Sequence, residues 1–251
     1  MDFGSDFWTF VAIGIFAQLV DGALGMAFGV IGSSVLMASG VAPAQASAMI
    51  HIAEIFTTAA SGISHYVNKN VSWSIVKRIA LPGVIGGIVG ATVLANIDGK
   101  KIAPFVSAYL LIIGVIIVIR ALRAFAVVDP SRRGMPAIGF AGGTLDAVGG
   151  GGWGPVVTST LIGTGHVPRY VIGSVNLTEF FVTVATSATL ILHLGWGDLS
   201  PVVPLILGGL IAAPFAGLIA RVAPTRILMV VVGLLVIGLA TRSLLRYFGM
   251  L

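Results

Sequence analysis

Eight long apolar stretches, each bounded by charged residues, glycine or proline, dominate this chain of 251 residues. A transmembrane helix needs about 20 predominantly apolar residues, and every stretch reaches that length. Only 9% of the residues are charged and the mean hydropathy is +1.07, so a soluble fold would expose large hydrophobic patches and aggregate. The sequence therefore predicts an all-α polytopic membrane protein. Its stretches cover 7–40, 44–66, 75–97, 102–123, 136–164, 168–194, 199–221 and 225–247.

The longest polar interruption lies near the middle of the chain, at 124–135. We expect it to link two halves, 7–123 and 136–247, of a single membrane domain that covers 1–251. The residues before the first stretch include two acids and neither Lys nor Arg, whereas a signal peptide needs a positive start. The first stretch is therefore expected to be a permanent membrane element.

The two halves share a residue pattern at an offset of 125 positions. Asp21 of the first half stands opposite Asp146 of the second, and Glu54 stands opposite Glu179. The same offset pairs Gly40 with Gly165, Pro43 with Pro168, and His51 with Asn176. Matches of Asp, Gly, Pro and Glu in one register are hard to obtain by chance, so the sequence predicts an internal repeat.

The first stretch of each half is unsuited to one straight helix. Residues 7–40 would reach about 51 Å at 1.5 Å per residue, which exceeds a bilayer of about 40–45 Å. Consecutive glycines also disfavour a helix, by about 1 kcal/mol each relative to alanine. Each stretch is therefore predicted to be either a discontinuous helix or a re-entrant hairpin, and such paired interruptions indicate a transporter's binding site. The candidate residues in the breaks are Asp21, Gly22, Gly25, Asp146, Gly150, Gly151, Gly152 and Trp153.

Two topologies follow from this choice. If each broken stretch crosses the membrane, the halves are parallel, and Lys and Arg divide nine to five between the two faces, which favours a cytoplasmic N-terminus. If each stretch is a re-entrant hairpin, the halves are inverted and the division is ten to four, which favours both termini outside. A difference of one charge leaves both topologies open.

The glycine-rich breaks and the helix that follows each of them resemble the TauE/SafE family of membrane transporters. The residues that carry the resemblance are DGALGMAFG at 21–29 and GGGGWG at 149–154, with the small-residue stretches 46–54 and 173–179. The resemblance covers nearly the whole chain and implies a multi-pass protein of the bacterial inner membrane. It also implies export of small anions, above all sulfite and sulfonates such as sulfoacetate. The first-half motif departs from the glycine run usual in the family, which leaves the exact substrate open.

Buried ionisable groups are the candidates for coupling. Glu54 and Glu179 lie about ten residues into the second helix of each half, which is near mid-depth at 1.5 Å per residue. His51 lies three residues before Glu54 and Asn176 three residues before Glu179, so each pair shares a helix face. Because histidine changes charge near neutral pH, we expect a proton-coupling and substrate-orienting pair. The alternative is a static polar clamp between helices.

The aspartates in the breaks have two compatible interpretations. A carboxylate at mid-membrane costs about 3 kcal/mol on insertion scales, so Asp21 and Asp146 are expected to bind an ion or proton or to cap a broken helix. No Lys or Arg lies in the centre of any stretch, so an anion would depend on backbone N–H groups at helix N-termini. The aspartates oppose an anion unless they are protonated, which favours proton coupling.

The sequence thus predicts a secondary transporter that exports a small anion with protons, and not an enzyme. A passive anion channel with a glycine-lined path, or a transporter of an unrelated small solute, remains the alternative. Cysteine is absent, as are the Gly-x-Ser-x-Gly, His-Glu-x-x-His and Walker motifs, so no cofactor is expected. His51 and Glu54 give two metal ligands where zinc needs three or four, so no metal is expected. The net charge of +5 is typical of loops in the positive-inside pattern and not of a nucleic-acid partner.

Overall fold

A computed structural model describes residues 6–122, 134–197, 199–222 and 224–250, and these parts are all-α. The predicted linker lies outside the described residues except at Gly134 and Met135, where a helix already begins. The helices are α1 Phe7–Leu24, α2 Phe28–Ala38, α3 Pro43–Val67, α4 Trp73–Ala95, α5 Gly99–Leu122, α6 Met135–Gly149, α7 Ser159–Gly163, α8 Pro168–Leu194, α9 Val202–Ala212, α10 Ala216–Val222 and α11 Thr225–Tyr247.

The helix lengths confirm a polytopic membrane protein. Within the described residues, seven helical segments are long and apolar enough to cross a bilayer, and α9 and α10 act as one of them through the 3₁₀ turn Ala213–Phe215. The two predicted stretches that are too long for one helix are each divided, into α1 and α2 in the first half. In the second half, α6 is followed by the π-helical turn Gly154–Thr158 and α7.

Both interruptions begin at a glycine in the left-handed conformation. Gly25 has φ of 64° and Gly150 has φ of 62°, a region that glycine enters without the steric penalty of a Cβ. The N–H of Gly25 donates to the carbonyl oxygen of Asp21 at 2.5 Å, and the N–H of Gly150 donates to that of Asp146 at 2.6 Å. These contacts end α1 and α6 one turn after the buried aspartates.

The first broken segment returns to the face from which it starts. α1 runs parallel to the α9–α10 span, because Gly14 lies against Leu205 and Gly22 lies against Ala216. The start of α1 therefore lies with the start of α9, on the face where α11 ends. α2 ends on this same face, since Arg246 near the end of α11 donates to the carbonyl oxygen of Ala38 at 3.4 Å. α1 and α2 thus form a re-entrant hairpin, which we call the first hairpin, and this surface is called the termini face.

The second broken segment enters from the other face. Met135 at the start of α6 lines a surface cleft together with Ser72, before α4, and with Gly165 and Val167, which follow α7. The chain between Met135 and Val167 therefore also begins and ends on one face. We call α6, the π-helical turn and α7 the second hairpin, and the surface that bears its ends the linker face.

The full crossings complete an inverted arrangement. α5 and α11 are antiparallel, because Gly114 lies against Ile237 while Gly233 lies against Val118. Parallel halves would instead make these two helices parallel, so the observed packing fits the hairpin alternative, and the internal repeat itself stays a prediction. The ten-to-four division of Lys and Arg then applies, and the positive-inside rule predicts a cytoplasmic linker face and a termini face outside.

Small residues bring the hairpins close to the crossing helices. Gly86 of α4 faces the backbone of Phe140 in α6, and Gly208 of α9 faces the backbone of Val11 in α1. Without a hydrophobic driving force between helices in lipid, such close backbone packing supplies much of the attraction. Each hairpin is therefore fixed along one side by a glycine-rich helix of the other half.

Candidate functional site

The tips of the two hairpins meet at the centre of the protein. The Ser33 hydroxyl of the first hairpin donates to the carbonyl oxygen of Gly150 at 2.5 Å. In the opposite sense, the Thr158 hydroxyl of the second hairpin donates to the carbonyl oxygen of Gly25 at 2.7 Å. Each hairpin thus satisfies the carbonyl left free at the helix break of the other, and the two tips are held together by a crossed pair of hydrogen bonds.

The aspartates cap the segments that follow the breaks. Asp21 Oδ1 accepts a hydrogen bond from the N–H of Ala27 at 3.0 Å. Asp146 Oδ1 accepts from the N–H groups of Gly152 at 2.8 Å and Trp153 at 3.0 Å. The geometry fits the capping interpretation and leaves one oxygen of each carboxylate for another partner. Within the described residues Asp21 Oδ2 has none.

The second oxygen of Asp146 faces His51. The imidazole Nε2 lies 3.1 Å from Asp146 Oδ2, and Nδ1 lies 2.7 Å from the carbonyl oxygen of Ser47. A carbonyl oxygen only accepts, so Nδ1 carries a hydrogen. A hydrogen bond between Nε2 and Asp146 then needs a second proton, on the imidazole or on the carboxyl group. The pair is buried almost completely, and its contact joins α3 to the second hairpin.

Two glutamates add further acidic groups to this centre. Glu54 and Glu179 are buried, and within the described residues the Oε2 atom of each has no hydrogen-bond partner. A cavity of about 10 Å³ between the hairpins is lined by Asp21, Asp146 and Glu179, and it has room for roughly one water molecule. The centre is therefore closed around its acidic groups.

Asn176 and Trp153 both donate hydrogen bonds to backbone carbonyl oxygens of α8. The Asn176 amide donates to the carbonyl oxygen of Ile172 at 3.3 Å, and its oxygen accepts from Ser61 at 2.7 Å. Asn176 thus repeats the backbone contact that His51 makes four residues back, and its other hydrogen bond joins it to Ser61 rather than to an aspartate. Trp153 is fully buried, and its indole N–H donates to the carbonyl oxygen of Val175 at 3.2 Å. It fills space beside the hairpin rather than lining the central cavity.

The glycines named from the sequence divide into two groups. Gly150 and Gly151 belong to the hairpin contact, and Gly151 leaves no room for a Cβ against the backbone of the first hairpin. Gly152 supplies an N–H group to Asp146. Gly22 lies elsewhere, because a Cβ there would be 2.7 Å from Ala216 of α10. Gly22 therefore allows close packing of α1 against α10, and its part in the binding site stays a prediction.

The structure raises the number of candidate metal ligands from two to three. Ligand atoms of His51, Glu54 and Asp146 all lie within 4.8 Å of one another, and three protein ligands is the number found in catalytic zinc sites. The sequence count missed Asp146 because it lies 95 residues from His51. The imidazole and this carboxylate also lie within hydrogen-bonding distance of each other, at 3.1 Å.

Four cations outside the central site were missed by the sequence analysis. Arg120 and Arg226 line a cavity of about 590 Å³ at the linker face. Lys100 and Arg246 line another, of about 450 Å³, at the termini face. Both pairs come from α5 and α11, whose antiparallel packing puts one cation of each helix at each end. The sequence contained a pattern that could have identified these cations. Lys100 and Arg226 are 126 positions apart, as are Arg120 and Arg246, which is one position more than the offset between the two halves.

Comparisons with known proteins agree with this architecture. The family model "Sulfite exporter TauE/SafE" matches residues 10–243. A curated relative, "Probable membrane transporter protein YtnM" of Bacillus subtilis (strain 168), is 40% identical over 246 residues, which cover 94% of this chain and 82% of the relative. No solved structure gives a significant match. The chain is a multi-pass membrane transporter, not an enzyme, and it belongs to the sulfite exporter TauE/SafE family.

Proposed function

We propose that the protein is a proton-coupled secondary transporter that exports a small anion, either sulfite or a small organosulfonate, from the cytoplasm. The observation that carries the proposal is the His51–Asp146 contact at 3.1 Å. It joins a crossing helix to a re-entrant hairpin through a proton, in a centre without Lys or Arg. Intramembrane ionisable residues are costly and are retained chiefly where they carry ions, protons or substrate.

Protons are also required by the charge balance of the centre. Asp21, Glu54, Asp146 and Glu179 together would carry four negative charges if all were ionised, and among the described residues of this centre His51 is the only one that could oppose them. Burial makes an unpaired charge strongly unfavourable. Binding an anion among these groups therefore needs protons to arrive with it or before it.

Protonation also releases donors for an anion. Asp21 and Asp146 occupy the N–H groups of Ala27, Gly152 and Trp153, the kind of helix-start donors that bind anions elsewhere. A neutral carboxyl group accepts hydrogen bonds more weakly than a carboxylate. An anion can then replace the aspartate at these N–H groups, so substrate and proton bind in a linked manner.

The inverted arrangement of the hairpins suits alternating access. We interpret 7–123 and 136–247 as inverted repeats, an arrangement in which one half rocks against the other around a central site. A cavity lies at each face, and the central cavity between them is closed. If the proton between His51 and Asp146 is lost, the Asp146 carboxylate faces the lone pair of the His51 imidazole. Their contact then breaks, and the second hairpin is freed from α3.

Transport by proteoliposomes under an imposed pH gradient tests the proposal. We expect saturable uptake of sulfite or small sulfonates, such as sulfoacetate, against a concentration gradient, with proton movement in the same assay. Flux that is unsaturable and never exceeds equal concentrations would identify a passive channel. No flux of any of these anions would refute the anion assignment, and a requirement for added Zn²⁺ would favour the metal interpretation of His51, Glu54 and Asp146.

A further inference from the structure

We propose that the linker-face cavity is a vestibule that selects organic anions with an apolar group of several carbon or sulfur atoms over inorganic sulfite. This inference rests on the proposed function and specifies the substrate class. The cavity holds about 590 Å³, within the range of about 300–1,000 Å³ typical of small-molecule sites. Sulfite would occupy only a small part of it.

The walls of this cavity are mainly apolar. They come from the break in the first hairpin and from α7, α8 and α11, and include Leu24, Met26, Ile162, Ile172 and Met229. A hydrated inorganic ion gains nothing from such surfaces. An apolar group gains about fourfold in affinity for each buried CH₂, so these walls discriminate in favour of an organic substituent.

Two arginines supply the complementary charge. Arg120 is half-buried near the end of α5, and Arg226 is exposed at the start of α11. Among the described residues, no carboxylate forms an ion pair with either guanidinium group, and none lines the cavity. Arginine matches the geometry of carboxylate, sulfonate and phosphate oxygens. A cavity with cations near its mouth and apolar walls fits a ligand with one anionic and one apolar end.

The vestibule adjoins the proposed transport site at Met26. Met26 lines both the large cavity and the small one between the hairpins, and the Ser159 hydroxyl lies 3.9 Å from its sulfur. Only this flexible side chain and its neighbours separate the two spaces. A ligand bound in the vestibule is therefore already next to the acidic centre, as expected of a substrate that waits for the hairpins to open.

The cavity at the termini face has a different character. It holds about 450 Å³ and is lined by Asp98, Lys100, Ser107 and Arg246 among its polar residues. Its carboxylate, Asp98, opposes an anion, whereas no carboxylate is among the described residues that line the vestibule. Selection for an apolar group is therefore expected at the linker face alone, which is the predicted cytoplasmic entrance.

Calorimetric titration of the protein in phosphatidylcholine nanodiscs tests this inference. The probes are sulfite, methanesulfonate, propanesulfonate and hexanesulfonate, with 1-hexanol as the uncharged match. We expect affinity to rise about fourfold per added CH₂, with sulfite and 1-hexanol binding at least tenfold more weakly than hexanesulfonate. A flat series, or 1-hexanol binding as well as hexanesulfonate, would overturn the inference.

Variants assign the binding to the cavity. Arg120→Gln and Arg226→Gln should each weaken hexanesulfonate binding about tenfold, whereas Arg242→Gln, also on α11 but outside the cavity lining, should not. Unchanged binding in both vestibule variants would contradict the site. If the cavity instead holds lipid, these variants will change the co-purified lipid and leave the sulfonate series unaffected, which also counts against the proposal. Sulfite transport that persists with a flat series would reject only this inference, and the proposed function would stand.

Discussion

Replacing His51 with asparagine should remove one coupled proton from the transport cycle. Asn176, at the matching place on α8, shows what asparagine does there: its amide reaches the carbonyl oxygen four residues back, at 3.3 Å. His51 makes that contact through Nδ1 and reaches Asp146 through Nε2. The shorter asparagine is expected to keep the first contact and lose the second, and with it the proton that we propose lies between His51 and Asp146.

The size of the effect follows from the proton count. One pH unit is worth about 1.36 kcal/mol per proton, which sustains about a tenfold substrate gradient for each coupled proton. His51→Asn should therefore lower substrate accumulation at a pH difference of one unit by about tenfold, whatever number of protons the other acids carry. The lost charge-assisted hydrogen bond should also cost about 1.5–3 kcal/mol of stability.

The assay is steady-state accumulation in proteoliposomes with the membrane voltage clamped at zero, at pH differences of zero, one and two units. His193→Asn is the matched control, because His193 Nδ1 also lies 2.8 Å from a carbonyl oxygen four residues back but the side chain is exposed. Asp146→Asn, whose amide oxygen still accepts the two N–H groups, should reproduce the loss. Wild-type accumulation by His51→Asn would refute the assignment of the coupled proton.

Two further predictions concern the contact between the hairpins. Gly151→Ala would force a Cβ into the backbone of the first hairpin and should reduce transport at least tenfold. Gly163→Ala is the control, because a Cβ there meets nothing within 4 Å, and this variant should transport normally. Equal transport by the two variants would contradict the contact between the hairpins. Ser33→Ala and Thr158→Val should each lower the free energy of unfolding by about 1–3 kcal/mol, because each leaves a buried carbonyl without its donor. Unfolding in mixed detergent micelles measures this change, and stabilities equal to wild type would mean that the crossed hydrogen bonds contribute nothing.

The membrane class and the positions of the breaks could be predicted from the sequence because both depend on local chemistry. Long apolar runs need a bilayer, and glycine runs weaken a helix wherever they occur. The breaks begin at Gly25 and Gly150, within the predicted glycine-rich middles. The aspartates were recognised because a buried carboxylate is costly in any fold that spans a membrane.

Only the tertiary structure showed which residues far apart in the chain lie close together. The return of each hairpin to its own face, the pairing of His51 with Asp146 across 95 residues and the gathering of Arg120 with Arg226 around one cavity all depend on how helices pack. Helix packing depends on the combined shapes of side chains from several helices, and the residue pattern of a single stretch does not specify these shapes. The sequence by itself therefore determined an all-α membrane protein with two interrupted segments and buried acids. Only the fold decided that the segments are hairpins from opposite faces, because both topologies satisfy the same hydropathy and differ by a single charge in their loops.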